Sequence, residues 1–309
     1  MSARRRRGNP IDGVLLLNKP RGITSQTAVS RVRALLGAAK AGHTGTLDPL
    51  ADGLLPVCLG EATKFSQGLL DADKGYSAVV RLGVTTTTGD LEGEILERHE
   101  VAATAEQATA VLARFRGEIL QTPPMYSALK RDGKPLYAYA RAGIEVERTP
   151  RRIVIHRLDF AGLDGTDLQI DVVCSKGTYI RVLAEDIGRA LGCGGCLASL
   201  TRVAVGDLTL AGSVAFDALE AMDGHARTQA LLPADTLVSS LPRVDLQPDE
   251  AARLTKGQPL RAVTPGVPGL VRAYDAAGAF LGLAEAQPEG GLVARRLVSS
   301  EAERPPAAS

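Results

Sequence analysis

Residues 42–64, GHTGTLDPLADGLLPVCLGEATK, set two aspartates among side chains that would otherwise form core. Asp48 stands between Leu47 and Pro49, and a carboxylate buried there needs a cation beside it to stay ionised. Asp-Pro and Asp-Gly steps also organise turns, and the local context of Asp48 and Asp52 taken alone favours that reading. A second chemical cluster spans residues 123–152, where Tyr126, Tyr137 and Tyr139 alternate with Lys130, Arg131, Lys134, Arg141, Arg148, Arg151 and Arg152. Aromatic faces that stack on bases, interleaved with cations for phosphates, suit looped or single-stranded RNA. A solvated amphipathic helix explains the arginines but not the Arg131-Asp-Gly-Lys134 turn. Cys193-Gly-Gly-Cys196 has the spacing of a metal or redox pair, yet Cys58 and Cys174 are isolated. His43, His99, His156 and His225 show no ligand spacing with them either, so no metal site is expected. Gly60-Glu-Ala-Thr-Lys64 lacks the Gly-Lys-Ser/Thr ending of a phosphate-binding loop.

The composition, 45% hydrophobic and 23% charged over 309 residues, is that of a folded protein with room for a large and a small domain. Net charge is only +1, but it is segregated. Residues 1–40 hold nine Lys/Arg against Asp12, and residues 121–157 hold eight against Asp132, Glu145 and Glu147, so the remainder is acidic. One basic face for a polyanion fits this distribution. No apolar run approaches the ~20 residues of a membrane span. The start, MSARRRRGNP, has no apolar segment behind its charges, so residues 1–9 read as a disordered basic tail rather than a secretory signal. Four cysteines make no disulfide framework, and a cytoplasmic location is expected.

Several elements must carry these groups. Gly13 to Pro20 reads as a buried strand and turn. Thr24 or Ser25 caps a helix whose apolar face is Ala28, Val29, Val32, Leu35 and Leu36. Residues 38–60 read as a structured loop with a short strand near Leu54 to Leu59. A helix is expected from Glu61 to Leu70 and a strand from Gly75 to Val84. Further strands are expected at 117–120, 144–147, 152–160, 167–174 and 197–205, with helices at 104–115, 135–142, 179–191 and 224–232. The pattern is α+β, a mixed and largely antiparallel sheet. Residues 233–242 read as a linker, residues 243–300 as a small β-rich module with strands near 270–274, 280–285 and 291–297, and residues 301–309 as a disordered tail.

The segment around Asp48 resembles the signature of the tRNA pseudouridine-55 synthases, the TruB family. The resemblance begins at GVLLLNKPRGITS and continues through DKGYSAVVRLGVTTTTGDLEGE (73–94), PPMYSALKRDGKPLYAYARAG (123–143) and CSKGTYIRVLAEDIGRALG (174–192). It implies a pseudouridine-synthase catalytic domain over 10–235 with a thumb-like insert at 123–152, and a PUA-like RNA-binding domain over 243–300. Asp48 would then be the nucleophile that attacks the ribose of a uridine flipped from its stack. Tyr76 would stack on the uracil and assist with its proton, and Arg181 would ion-pair with Asp48. Asp90 would complete the network around Arg181 and Tyr179.

By the same resemblance Tyr179 and Leu200 line the uridine pocket. His43 contacts flipped nucleotides, and Lys19, Lys64 and Lys130 are candidate phosphate contacts. The implied activity is isomerisation of one T-loop uridine of tRNA without metal or cofactor, with an accompanying role in tRNA folding. The implied partner is the tRNA T-arm, met by a monomer without an obligate protein partner. Cys196 and Thr201 depart from the family pattern: of its two successive arginines this chain keeps only Arg202, which puts RNA contacts from the missing side chains in doubt. A non-catalytic RNA binder and a guide-RNA-dependent relative are the rival readings.

Overall fold

The computed structural model describes residues 8–261 and 268–299. Strand β1 (Gly13–Lys19) is almost wholly apolar because it is buried on both faces. Helix α1 (Ser25–Leu36) follows, its N-cap Thr24 accepting from the Thr27 amide and its end closed by Gly37 in the left-handed region. Next come β2 (Ala41–His43) and β3 (Asp52–Leu59), where the sequence suggests one short strand in a loop. β3 starts two residues earlier than expected, at the Asp52-Gly53 step that resembles a turn. Gly53 has φ +98°, and a Cβ there would lie 2.4 Å from the Arg202 carbonyl oxygen, so glycine lets another strand approach.

The expected helix over Glu61 to Leu70 is instead a 3₁₀ turn (Gly60–Lys64) and a short helix α2 (Gln67–Leu70). β4 (Lys74–Leu82) leads to the hairpin β5 (Val84–Thr86) and β6 (Ile95–Arg98), then α3 (Ala105–Ala113) and β7 (Gly117–Gln121). The insert carries a small hairpin, β8 (Lys130–Arg131) and β9 (Lys134–Pro135), and α4 (Leu136–Arg141). The strand expected at 144–147 does not form. Gly143 takes φ +69° to end α4, and the mostly exposed segment after it meets β8 only through the Arg131 side chain, which donates to the Glu147 carbonyl at 2.6 Å. β10 (Arg151–Asp164), β11 (Asp167–Cys174), α5 (Ile180–Ala190) and β12 (Gly195–Val205) complete the centre.

These strands build a ten-stranded mixed sheet in the order Val214–Ala215, β1, β3, β12, β4, β11, β10, β7, with β2 beside β3 and Leu208–Thr209 beside β12. Neighbours are antiparallel except β1 with Val214–Ala215 and β12 with β3, so the α+β class holds. The main core joins α1, α3 and α5 to the sheet through Val32, Leu112 and Leu183.

Residues 234–238 are not a bare linker. They form a 3₁₀ turn whose Leu237 and Val238 are buried with Val14, Leu54 and Phe65. Arg243–Asp245, Gly269–Tyr274, Phe280–Ala286 and Leu292–Leu297 make a separate four-stranded sheet with its own core. A helix at Pro248–Thr255 is an unexpected element, although Pro248 at its start and a Gln247/Glu250 capping box announce it. Asn9, assigned to the basic tail, donates its amide to the Gly37 carbonyl. Residues 1–7 and the C-terminal tail expectation lie outside the described residues. Among the described residues no helix is long and apolar enough to cross a membrane.

Candidate active site

Asp48 lies on the loop between β2 and β3, and its neighbours are fixed. The buried Ser25 hydroxyl donates to the Leu47 carbonyl at 2.9 Å and accepts from the Leu47 amide at 2.7 Å. Leu47 and Ala51 are buried on either side, and the Ala51 amide closes a turn on the Asp48 carbonyl at 3.1 Å. The Gly45 amide donates to His43 Nδ1 at 3.2 Å, which requires Nδ1 to be unprotonated. Burial and then the nearby Arg202 charge push the His43 imidazole below its ordinary value. The turn that sequence favoured for Asp48 therefore exists, and it presents the carboxylate, whose side chain is 45% exposed, rather than burying it.

The cation comes from α5. Arg181 stands in the first turn of this helix with its side chain only 7% exposed, and its Nη2 reaches Asp48 Oδ2 at 3.0 Å. The same guanidinium lies 3.7 Å from Asp90 Oδ2 and donates to the Thr88 carbonyl at 3.0 Å and the Tyr126 carbonyl at 2.7 Å. Asp90 is buried, and its Oδ1 accepts from the Thr88 hydroxyl and from the Glu92 amide at 3.1 Å. A guanidinium held at three other points can only offer its remaining donor to Asp48 in one direction.

β4 and β12 supply the rest. Tyr76 on β4 is the direct partner of Arg202 on β12, and Leu200 lies two residues away on the same face. Burial raises the Tyr76 phenol above its ordinary value, with the Arg202 charge pulling the other way. Tyr179, at the start of α5, is tied by both backbone groups to the Gln121 side chain, at 2.8 and 3.1 Å. A cavity of about 370 Å³ brings together Asp48, Tyr76, Tyr179, Arg181 and Leu200. A second cavity, of about 560 Å³, shares Asp48 and Arg181 with it and adds His43, Asp90, Tyr137 and Arg141. Seven of the expected site residues thus meet at one place.

The three lysines do not join them. Lys19 is fully buried, its ammonium donating to the Pro20 carbonyl at 2.8 Å and the Ile23 carbonyl at 2.9 Å, and burial lowers its pKa to about 8. A phosphate cannot reach it, so its expected role is corrected to bracing the turn after β1. The Lys64 ammonium donates to Glu61, the Leu297 carbonyl and the Ser299 hydroxyl, which joins the C-terminal sheet to the 3₁₀ turn and leaves it no free donor for RNA. Lys130 is exposed on the β8–β9 hairpin. The four cysteines are buried free thiols, and burial raises Cys196 to about 11. Among the described residues no group of three or more His, Cys, Asp or Glu side chains is gathered to hold a metal.

Sequence reasoning missed Ser25 as the anchor of Leu47, and Thr88 and Tyr126 as carbonyl clamps on Arg181. Backbone acceptors carry no side-chain signature, so only the fold reveals them.

Three family models match the chain in succession: TruB family pseudouridylate synthase (N terminal domain) at residues 33–180, tRNA pseudouridylate synthase B C-terminal domain at 181–239, and Pseudouridine synthase II TruB, C-terminal, at 242–298. The tRNA pseudouridine synthase B of Azoarcus sp. (strain BH72) is 56% identical over 291 residues, spanning 94% of this chain and 96% of that protein. The protein of the same name from Chromobacterium violaceum is 53% identical over 305 residues, 98% and 100% of the two chains. Among solved structures, a chain of a Cbf5-Nop10-Gar1 complex superposes with a TM-score of 0.69 at 25% identity, over 93% of this chain and 84% of that one. A chain of an H/ACA RNP bound to a substrate RNA containing 2'-deoxyuridine shares the fold at a TM-score of 0.69 and 24% identity, over 93% and 85%. With relatives more than half identical along nearly its whole length, the chain belongs to the TruB family of pseudouridine synthases and is an isomerase.

Proposed function

We propose that this enzyme isomerises the T-loop uridine at position 55 of tRNA, with Asp48 as nucleophile and no other component. The observation that carries the reading is the 3.0 Å ion pair between Arg181 and Asp48 where two cavities join. A flipped uridine enters the smaller cavity, its base against Tyr76 and Leu200, and the larger cavity continues the path for neighbouring nucleotides past His43, Tyr137 and Arg141. Asp48 Oδ forms a bond to ribose C1′ and the C1′–N1 bond breaks, its electron pair going to the base. The base turns, C5 bonds to C1′, the carboxylate is released and the proton on C5 leaves. Arg181 keeps Asp48 anionic and aimed, which a nucleophilic carboxylate requires.

Lys130, Arg131 and Arg141 on the insert reach the RNA backbone and steer it. Residues 10–235 serve as the catalytic domain, with 123–152 as its thumb. Residues 243–300 act as a PUA-like domain that holds the far end of the tRNA, and the enzyme works as a cytoplasmic monomer. The test is purified protein with an unmodified tRNA transcript, followed by carbodiimide treatment and primer extension. A single new stop at the T-loop uridine is expected. No stop without added guide RNA or protein would favour a ribonucleoprotein role.

A further inference from the structure

Among the described residues Arg202 is the largest side chain buried almost to completion, 1% exposed, and it lines the base cavity beside Asp48. Its Nε donates to the Leu54 carbonyl at 2.8 Å, its Nη2 to the Gly45 carbonyl at 3.1 Å and its Nη1 to the Thr46 carbonyl at 3.5 Å. Gly45 and Thr46 stand three and two residues before Asp48, so this guanidinium sets the path of the nucleophile's loop. Tyr76 is its cross-strand partner, so the two side chains stand side by side on the face that lines the cavity. Every acceptor that meets it is neutral, and no carboxylate pairs with it among the described residues.

A purely structural role does not account for this choice of residue. A buried ion without a counter-charge is strongly destabilising, so tying three carbonyls does not by itself explain why a full positive charge is kept here. Contact with RNA phosphates does not account for it either, because the side chain is 1% exposed and each of its nitrogens already donates to a backbone carbonyl. What remains is the cavity. When the C1′–N1 bond breaks, the base leaves with the electron pair and carries negative charge until C5 bonds to C1′. A fixed positive charge behind Tyr76 stabilises that state without reorganising.

We propose that Arg202 is a positioning residue of the isomerisation, holding the Asp48 loop and its cross-strand partner Tyr76 as one unit and favouring negative charge on the detached uracil. This rests on the reading of Asp48 and of the cavity given above. Under single-turnover conditions Arg202→Gln and Arg202→Lys are expected to slow isomerisation by roughly 10²-fold while tRNA affinity is kept. Tyr76→Phe combined with Arg202→Lys should be little slower than the slower single variant, because both act through one unit. A wild-type rate in Arg202→Gln, or strictly multiplicative losses in the pair, overturns the proposal. If the Arg202 variants do not fold, wild-type protein labelled with ¹⁵N-arginine decides it. A slowly exchanging guanidinium Nε–H that shifts in Tyr76→Phe supports the unit, and absence of such a signal refutes it. A wild-type enzyme that does not isomerise tRNA at all would instead bring down the reading beneath.

Discussion

At the scale of single residues, the site depends on charges held by neighbours that cannot move. Arg181 is clamped by Asp90 and two carbonyls before it meets Asp48, so its geometry matters as much as its charge. Arg181→Lys keeps a cation but loses the planar fork. Its single-turnover rate should fall by roughly 10²-fold or more with the fold intact by circular dichroism. A rate near that of wild type would show that any cation suffices.

His43 makes a second, pH-dependent prediction. Its folded-state pKa lies below the ordinary 6.5 because burial opposes the charge, and the Gly45 amide needs a neutral Nδ1. Between the folded and unfolded values the unfolded chain binds the extra proton. The contribution to stability is therefore complete above pH 6.5 and is lost as pH falls through the folded value. Thermal melts between pH 7 and 5 should show a smaller acid decline for His43→Gln than for wild type, and equal declines would contradict this account.

At the scale of elements, most of the central sheet is legible in the sequence because its strands are apolar runs or clear alternations. The departures have physical causes. β3 opens on Asp52-Gly53, a turn signature used here so that β12 can approach the backbone at Gly53. Ile144 and Val146 alternate like a strand, but no strand pairs with them, and the Ile144 amide is spent on the Tyr139 carbonyl as α4 ends. The 233–242 stretch has linker composition, yet Leu237 and Val238 fill a gap under β1 and β3. The site divides the same way. Asp48, Tyr76 and Arg181 are legible only through resemblance, since spacing alone makes Asp48 a turn residue. Lys19 misleads because a buried lysine satisfied by carbonyls looks, in sequence, like any basic residue.

The insert gives an element-scale prediction. Lys130→Ala with Arg131→Ala should flatten the dependence of log tRNA affinity on log salt by about 0.7 for each single-strand phosphate that is no longer neutralised. The rate at saturating tRNA should be kept, and an unchanged salt slope would remove these residues from the interface.

At the scale of the whole molecule, the C-terminal sheet is seated on the catalytic body by specific contacts. The Phe65 and Phe280 rings meet edge to face at 5.1 Å, Glu61 accepts from the Ser299 amide, and Lys64 spans to the Leu297 carbonyl. Phe65 is buried, so Phe65→Ala should cost about 3–5 kcal/mol, lower the melting temperature and weaken tRNA binding more than it slows the bound complex. Unchanged melting would mean that the two units are held together in some other way. The chemistry itself has a more direct readout, because isomerisation expels the hydrogen on uracil C5. The decisive measurement is tritium release from tRNA transcribed with [5-³H]uridine, comparing wild-type protein alone with Asp48→Asn, which keeps the side chain's shape but removes its charge. Release from wild type equivalent to one uridine per tRNA, and none from Asp48→Asn despite retained binding, is the expected result. Release by Asp48→Asn at the wild-type rate would contradict the assignment of Asp48 as nucleophile.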